Sequence, residues 1–354
     1  MISEAQNFLN HYRNVVRIHL TVPIILSILC FYTIRIFIID KIKRHEHVNK
    51  FVKFVVTGGL GFIGSYIVKH LVNQNHQVTV IDNFSRGRLW NPAGHEAAVP
   101  SQISIHQLDI LDFDYLKNVI CDSDGIFHQA ALTSVPESFI QKEKYHSVNV
   151  IGTENIFKLA KEFSIKVVYA SSSSVYGNTT SIPITEDFER KPINPYGTTK
   201  LDDEKLAVKY HDLGASIIGL RYFNVYGIGQ TNDYAGVITK FYDNIQADES
   251  PIIFGNGSQT RDFISVEDVV KANLLSMQSD TDFTHLNIGT GITTSIKELA
   301  NLMIRLSGKP VETKFDKLPQ GDIKESQADV SLAKKMINWS YETSIEDGLE
   351  NFFF

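Results

Sequence analysis

From residue 51 onward, short apolar runs alternate with stretches of helical periodicity. Phe54, Val55 and Val56 form a run that ends in Thr57-Gly58-Gly59, and Ile63, Ile67, Val68 and Leu71 then recur at the spacing of one helix face. Residues 77–82 (QVTVID) read as a second strand, and 103–106, 125–128, 166–170 and 216–220 as further strands. Helical stretches separate most of them, notably 149–163 and 196–213. Strands alternating with helices predict an α/β fold built on a doubly wound parallel sheet. Beyond about 222 the elements shorten and glycine turns appear (Gly255, Gly257, Gly289, Gly291), which predicts a smaller C-terminal substrate-binding lobe. The expected division is an N-terminal segment 1–50, a sheet domain 51–222, and a part 223–354 that is mainly the lobe, with some elements returning to the sheet.

The first fifty residues break this pattern. Residues 20–34 carry no charge, Arg35 interrupts, and 36–39 continue the apolar run. A span of about 18–39 reaches the roughly 20 residues of a membrane-crossing helix, with Arg35 close enough to one end to snorkel. Lys41, Lys43, Arg44, Lys50 and Lys53 follow it, while Arg13 and Arg17 precede it, which favours the C-terminal side in the cytosol. A single membrane anchor on a cytoplasmic enzyme domain is the expectation. A cleaved signal peptide fits less well, because no small-residue cleavage site follows and Arg35 splits the apolar core. An interfacial helix, or an extension upstream of the true start, are the other readings.

Composition narrows the class. At 354 residues the chain is expected to hold two domains, or one large domain with a lobe. Hydrophobic residues at 43% and charged residues at 21% exclude a disordered, collagen-like or multi-pass membrane chain. Lys plus Arg number 34 against 40 for Asp plus Glu, so no cationic excess exists to neutralise a nucleic-acid backbone. Cys30 and Cys121 are the only cysteines, too few for a disulfide framework and consistent with a reducing compartment. No metal site is expected: His45 and His47 are spaced like ligands but lie in a basic linker with no partner run.

The sharpest signal is Gly58-Gly59-Leu60-Gly61-Phe62-Ile63-Gly64, between the first strand and the first helix. Gly58 permits the tight turn, Gly61 lets backbone approach a pyrophosphate, and Gly64 lets helix pack on strand. Asp82 ends the second strand, where a carboxylate binds the ribose hydroxyls of NAD and repels a 2′-phosphate. Arg86 and Arg88 nearby keep NADP open at this stage. These residues predict a Rossmann dinucleotide site.

A second constellation is Tyr196-Gly-Thr-Thr-Lys200, whose i, i+4 spacing puts phenol and ammonium on one helix face. Lys⁺ beside a phenol favours the phenolate, a usable general base, although a surface Tyr–Lys pair of this spacing is common. Ser171 to Ser174 follow the strand 166–170, at the carboxyl end where an open parallel sheet binds its ligand. Together with the glycine turn they predict an active site. His128, at a strand end, is expected to be a packed, hydrogen-bonded residue.

Many motifs in order give the chain a family resemblance over about 53–350: TGGLGFIGS (57–65), DNFSRG (82–87), LDILD (108–112), HQAALTSVPES (128–138), NVIGTEN (149–155), SSSSVYG (171–177), PYGTTK (195–200), RYFNVYG (221–227), RDFISVEDVV (261–270), NIGTG (287–291) and GDIKESQAD (321–329). It resembles the extended short-chain dehydrogenase/reductases of the NAD-dependent epimerase/dehydratase family, in particular UDP-glucose and UDP-N-acetylglucosamine 4-epimerases. The resemblance implies Tyr196 as base, Lys200 holding the nicotinamide ribose, and Ser172 bonding the reacting hydroxyl. It implies a cofactor set of Gly58, Gly61, Phe62, Ile63, Gly64, Asp82, Asn83, Asp109, Ile110, Ala130, Ala131, Thr133, Asn149, Tyr196, Lys200 and Phe223. The implied substrate set is Ser134, Ser172, Tyr196, Asn224, Arg261, Asp322 and Ser326. Asn224 and Arg261 would meet the phosphates, Asp322 the uridine ribose, and Ser326 the sugar's C2 substituent. One departure is Pro319, where family members often carry Arg; Lys317 is the nearest substitute.

The implied reaction is 4-epimerisation of a UDP-hexose by transient oxidation at C4, with NAD as cofactor, no metal and a homodimer formed through 149–163 and 196–213. The alternatives are a UDP-glucuronate 4-epimerase or decarboxylase, or another nucleotide-sugar dehydratase. Ser173 and Ser174 stand where those sister enzymes carry carboxylates, which disfavours elimination and, less strongly, decarboxylation. A Cys–His acid–base pair is not available, since Cys121 belongs to an earlier helix. A non-catalytic NAD-binding scaffold is the alternative of a different class; retention of the Tyr–Lys pair argues against it.

Overall fold

Val55 and Val56 are apolar on both faces because their strand lies in the middle of the molecule, between two layers of helices. The computed structural model describes residues 52–85, 99–179, 181–230, 236–317 and 324–353. In chain order these form β1 (Lys53–Thr57), α1 (Phe62–Asn73), β2 (Gln77–Asp82), β3 (Ile103–Gln107), α2 (Phe113–Ile120), β4 (Gly125–His128), α3 (Val135–Ile140) and α4 (Lys142–Tyr145). A π-helical turn (His146–Ile151) leads into α5 (Gly152–Phe163), β5 (Lys166–Ser172), a 3₁₀ turn (Ser173–Tyr176), α6 (Pro195–Asp212), β6 (Ile217–Tyr222) and β7 (Asn224–Tyr226). Then come α7 (Val237–Gln246), β8 (Ile252–Phe254), β9 (Thr260–Arg261), β10 (Phe263–Ser265) and α8 (Val266–Gln278). The chain ends with β11 (Phe283–Ile288), β12 (Thr294–Ser295), α9 (Ile296–Ser307), β13 (Lys314–Asp316), α10 (Ser331–Ile337) and α11 (Ile345–Phe353).

Seven strands make one sheet in the order β11-β6-β5-β4-β1-β2-β3, every pair parallel. The chain therefore winds outward from β1 to β3, then restarts at β4 on the other side. That switch between β1 and β4 opens a crevice at the carboxyl ends of the strands. Register brings the ends together: Thr57 lies opposite Ile81 and His128, and Ser172 opposite Tyr222. One face of the sheet buries Ile67 and Leu71 of α1 with Val269, Val270 and Trp339; the other buries Leu116, Ile156, Phe157 and Ala207. A third core, including Tyr226, Phe241, Leu299, Met303 and Leu349, joins α7, α9 and α11.

Several expected boundaries shift. The strand expected at 166–170 continues to Ser172, so Ser171 and Ser172 are sheet residues, held by pairing with Arg221 and Tyr222. The helix expected over 149–163 starts as a π turn. There the side chain of Asn149 bonds the backbone of Leu132, and a Cβ at Gly152 would stand 2.5 Å from Ile110 Cδ1. The return to the sheet from beyond 222 is β11, which pairs with β6 from Phe283–Ile217 to Ile288–Tyr222. The span expected at 18–39 lies outside the described residues; among the described residues no helix is long and apolar enough to cross a membrane.

Candidate active site

Thr57 ends β1 and the chain must turn at once into α1, which forces Gly58 to φ +65°. Its N–H donates to Ile81 O at 2.7 Å, tying the turn to β2. A Cβ on Gly58 would sit 2.7 Å from Ala130 N, and one on Gly64 only 2.1 Å from Gly58 O. These two glycines are therefore demanded by packing. Gly61 differs: its Cβ would meet only Gly58 O, at 3.2 Å, and it borders the open cleft. Gly61 is also the N-cap of α1, with no side chain capping the helix. The first-turn N–H groups and the helix dipole are thus left uncapped by any side chain beside the cleft, a cradle for a phosphate anion.

Asp82 sits at the end of β2 with its carboxylate fixed by two backbone donors, Leu60 N at 3.1 Å and Phe84 N at 2.9 Å. Asn83 donates to Asp109 Oδ2 at 2.9 Å, and Leu111 N donates to Oδ1 of the same aspartate, so these side chains form one rim past β2 and β3. Ile110 is buried and its carbonyl accepts from Asn155. Arg86 and Arg88 lie outside the described residues. Glycine cradle and acidic strand end together fit a dinucleotide carrying free ribose hydroxyls.

The cradle opens into a cleft of about 1390 Å³ that runs along the carboxyl edge of the sheet to β7, α7 and β9. Ala131 and Thr133 line it from the segment after β4, while Ser172, Tyr196, Lys200 and Phe223 line it from β5, α6 and the end of β6. Ser172 and Ser171 diverge, as neighbours on a strand must. Both border the cleft, but Ser172 Oγ accepts from Ser174 N at 3.1 Å, whereas Ser171 Oγ turns inward and donates to Glu204 at 2.7 Å. Asn194 caps α6, accepting from Gly197 N at 2.8 Å, which starts the helix so that Tyr196 and Lys200 reach the cleft one turn apart. The Lys200 ammonium is buried and donates to Ala170 O at 3.0 Å and to Asp203 Oδ2 at 3.2 Å.

Other expected site residues act at one remove. Asn149 is fully buried: its amide grips both backbone groups of Leu132 and donates to Thr199 Oγ1, so it shapes the 129–133 segment and packs behind the cleft wall. Ala130 packs against Gly58 for the same reason. Ser134 caps α3 by accepting from Glu137 N. Asn224 and Arg261 line the far end of the cleft; Asn224 donates to Asp262 O, and Arg261 to Thr260 O. Ser326 is buried, with 7% of its surface exposed, on the segment between Lys324, whose carbonyl accepts from Thr260 N, and Ala328, which bridges to Ile184. It is absent from the cleft lining among the described residues. Asp322, Gly321 and Pro319 lie outside the described residues.

His128 is fully enclosed between Thr57 Oγ1 at 2.6 Å and Thr153 Oγ1 at 2.8 Å. Burial, reinforced by the Lys200 charge, pushes it down to about 3, so it is a neutral packing residue. Gln129, Phe139, Lys240 and Phe254 also line the cleft, unforeseen from sequence. Phe139 and Phe254 share one feature, an apolar side chain left 54% and 41% exposed; Gln129 and Lys240 have none. Among the described residues no group of His, Cys, Asp and Glu could hold a metal ion.

Residues 54–289 match the NAD dependent epimerase/dehydratase family. A UDP-glucose 4-epimerase of Mycolicibacterium smegmatis is 34% identical over 303 residues, covering 83% of this chain and 95% of that protein. A UDP-glucuronate 4-epimerase of Thermodesulfobacterium geofontis is 32% identical over 308 residues, covering 84% and 94%. Among solved structures, a UDP-N-acetylglucosamine 4-epimerase from Methanobrevibacter ruminantium, in complex with UDP-N-acetylmuramic acid, superimposes with a TM-score of 0.80 at 36% identity, covering 86% of this chain and 97% of that one.

Proposed function

This chain belongs to the NAD dependent epimerase/dehydratase family, and from that premise we propose that it is a 4-epimerase of a UDP-hexose, interconverting UDP-N-acetylglucosamine and UDP-N-acetylgalactosamine, UDP-glucose and UDP-galactose, or both pairs. The observation that carries the reading is that Tyr196, Lys200 and Ser172 border the same cleft as the uncapped start of α1. NAD held there would supply the hydride-acceptor and hydride-donor chemistry at C4. The Gly58–Gly64 turn holds its pyrophosphate, Asp82 its adenine ribose, and Lys200 its nicotinamide ribose. Tyr196 takes the proton of the sugar's 4-hydroxyl and later gives it back to the 4-keto oxygen, while Ser172 hydrogen-bonds that oxygen in both steps. Rotation of the keto sugar between the two transfers presents its other face. Asn224 and Arg261, which line the far end of the cleft, would meet the diphosphate, and Ser134 the sugar; Asp322, assigned by resemblance to the uridine ribose, lies outside the described residues.

Epimerisation needs one base; elimination needs a second acid–base group. Among the described residues lining the cleft the one carboxylate is Asp243, on α7, and the 3₁₀ turn beside Ser172 carries no carboxylate, only the hydroxyls of Ser173 and Ser174 and the Tyr176 phenol, which Asn287 and Arg221 occupy. This supports epimerase over dehydratase.

The division into 51–222 and 223–354 stands as part of the same reading, supported by the separate core around Phe241 and Met303. So does a homodimer through 149–163 and 196–213, supported by exposed Ile151, Val208 and Leu213. Anchoring through residues 18–39, with the enzyme domain in the cytoplasm, is supported by their apolar sequence and basic flank.

The test is incubation of purified protein with a panel of UDP-sugars and no added NAD, the products being resolved by chromatography. Tyr196→Phe should cost on the order of 10² to 10⁴ in rate while leaving bound NAD in place. Near-normal turnover by that variant would sink the assignment, and release of NADP from denatured protein would overturn the role of Asp82.

A further inference from the structure

Lys200 has three ammonium protons and two are already committed, to Ala170 O and to Asp203 Oδ2. The third is left for the cleft that Lys200 lines. Asp203 lies one turn further along α6, with no exposed surface, and its other oxygen, Oδ1, has no hydrogen-bond partner among the described residues. A buried carboxylate with one idle oxygen is costly, and the neighbouring pair does not share the cost. Glu204 is occupied by Arg221 Nε and Nη2 at 2.8 and 2.9 Å, by Ser171 and by Arg190.

We propose that Asp203 is a positioning residue for the proposed catalytic pair: it clamps the Lys200 ammonium against Ala170 O, and its negative charge partly cancels the field of Lys200 at the Tyr196 phenol, thereby setting the pH at which Tyr196 serves as base. This rests on the reading of Tyr196 as the base. The groups around Asp203 leave Lys200 as its one close counter-charge. On its own helix, Asp202 and Glu204 are the other charges that act on it. On β5, burial keeps the Tyr169 phenol protonated. On β6, Arg221 is spent on Glu204, and on β4 and β11 burial keeps His128 and His285 neutral. Of the titratable groups on the other elements packed against α6, Glu137 on α3 is bonded by Gln141 and Tyr145, Glu154 on α5 by Lys209, Tyr210 and Lys158, Glu162 on α5 by Lys117, and Tyr176 of the 3₁₀ turn by Arg221 and Asn287; His146 of the π turn, Lys161 of α5 and Lys142, Glu143, Lys144 and Tyr145 of α4 complete the set. Burial, opposed by Lys200, pushes Asp203 up to about 7, so its charge appears within the working range of an enzyme.

Asp203→Asn keeps an oxygen for Lys200 and removes the charge. Freed of that charge, Lys200 should favour the phenolate more, and the acid limb of kcat against pH should move to lower pH by on the order of one unit. The near-ultraviolet phenolate signal of the protein, measured with a Tyr196→Phe version as blank, should move the same way without substrate turnover. An Asp203→Asn protein that is folded and active with both curves in place overturns the proposal. Asp203→Ala is the second variant, expected to shift the limb likewise and to raise KM or loosen bound NAD, because the ammonium loses its clamp; an unmoved limb there also overturns it. Failure of both variants to fold would assign Asp203 to the fold alone and overturn it too. Activity of Tyr196→Phe itself would mark failure of the underlying reading instead.

Discussion

Gly61 and Gly64 stand three residues apart in one turn, yet the same substitution should break different properties. At Gly61 φ is −75°, which alanine adopts freely, and the added Cβ meets a single atom, Gly58 O, at 3.2 Å. The gain from a stiffer unfolded chain, about 0.4 to 1 kcal/mol, is offset by the poorer N-cap and that one tight contact, so Gly61→Ala should change stability by less than about 1 kcal/mol. The methyl group, however, projects where the uncapped N–H groups of α1 meet the cleft. Holding a pyrophosphate oxygen off one charge-assisted hydrogen bond costs about 1.5 to 3 kcal/mol, roughly 10- to 100-fold in NAD affinity. Gly64→Ala should do the reverse in order: its Cβ would lie 2.1 Å from Gly58 O and 2.8 Å from Gly58 C, so helix and turn must separate and the fold itself is destabilised. Urea denaturation and calorimetric titration with NAD would separate the two. A Gly61→Ala protein that binds NAD like the parent would refute the placement of the phosphates at this turn.

Three further outcomes follow from buried groups. Glu204→Gln should cost about 3 to 5 kcal/mol in urea unfolding, because Arg221, 2% exposed, would keep its charge with no counter-charge beside it and with an amide nitrogen in place of one of its two carboxylate acceptors; a loss below about 1 kcal/mol would show the pair to be dispensable. Burial pushes His128 down to about 3 and His285 to about 4, so the stability each contributes is present above an unfolded value near 6.5 and is lost as pH falls towards those figures. Asp203, raised by burial to about 7, acts in the opposite sense over that range, as do Glu186, Asp262 and Asp268, which burial also raises; Asp203→Asn should therefore make the melting temperature fall more steeply on acidification from pH about 7 to about 4, and an unchanged slope would contradict this. Ser326→Tyr should lose UDP-N-acetylhexoses and keep UDP-glucose if this position borders the C2 substituent; equal loss of both in kcat/KM would mark buried Ser326 as a packing residue.

The glycine turn, Asp82 and the Tyr196–Lys200 pair were legible because each is a local device. A left-handed turn, a strand-end carboxylate and an i, i+4 pair are specified by residues adjacent in sequence. The parallel sheet was legible for a similar reason, since strands buried on both faces read as continuous apolar runs. What sequence spacing does not carry is which polar side chain turns towards the ligand and which turns inward. Ser171 and Ser172 are chemically identical and both border the cleft, and only the pleat of β5 against Arg221 and Tyr222 commits the hydroxyl of the first to Glu204 and leaves that of the second beside the 3₁₀ turn. Asn149 looked like a cleft residue and lies behind the cleft wall, because a π turn aims its amide at Leu132, 17 positions earlier in the chain. Asp203 had no signal at all: its meaning comes from burial beside Lys200 with one oxygen idle. Local stereochemistry is written in neighbouring residues, but desolvation and charge compensation depend on what distant strands and helices bring within a few ångströms, so the placing of Tyr196 and Lys200 one turn apart was determined by the sequence and their electrostatic surroundings by the tertiary structure.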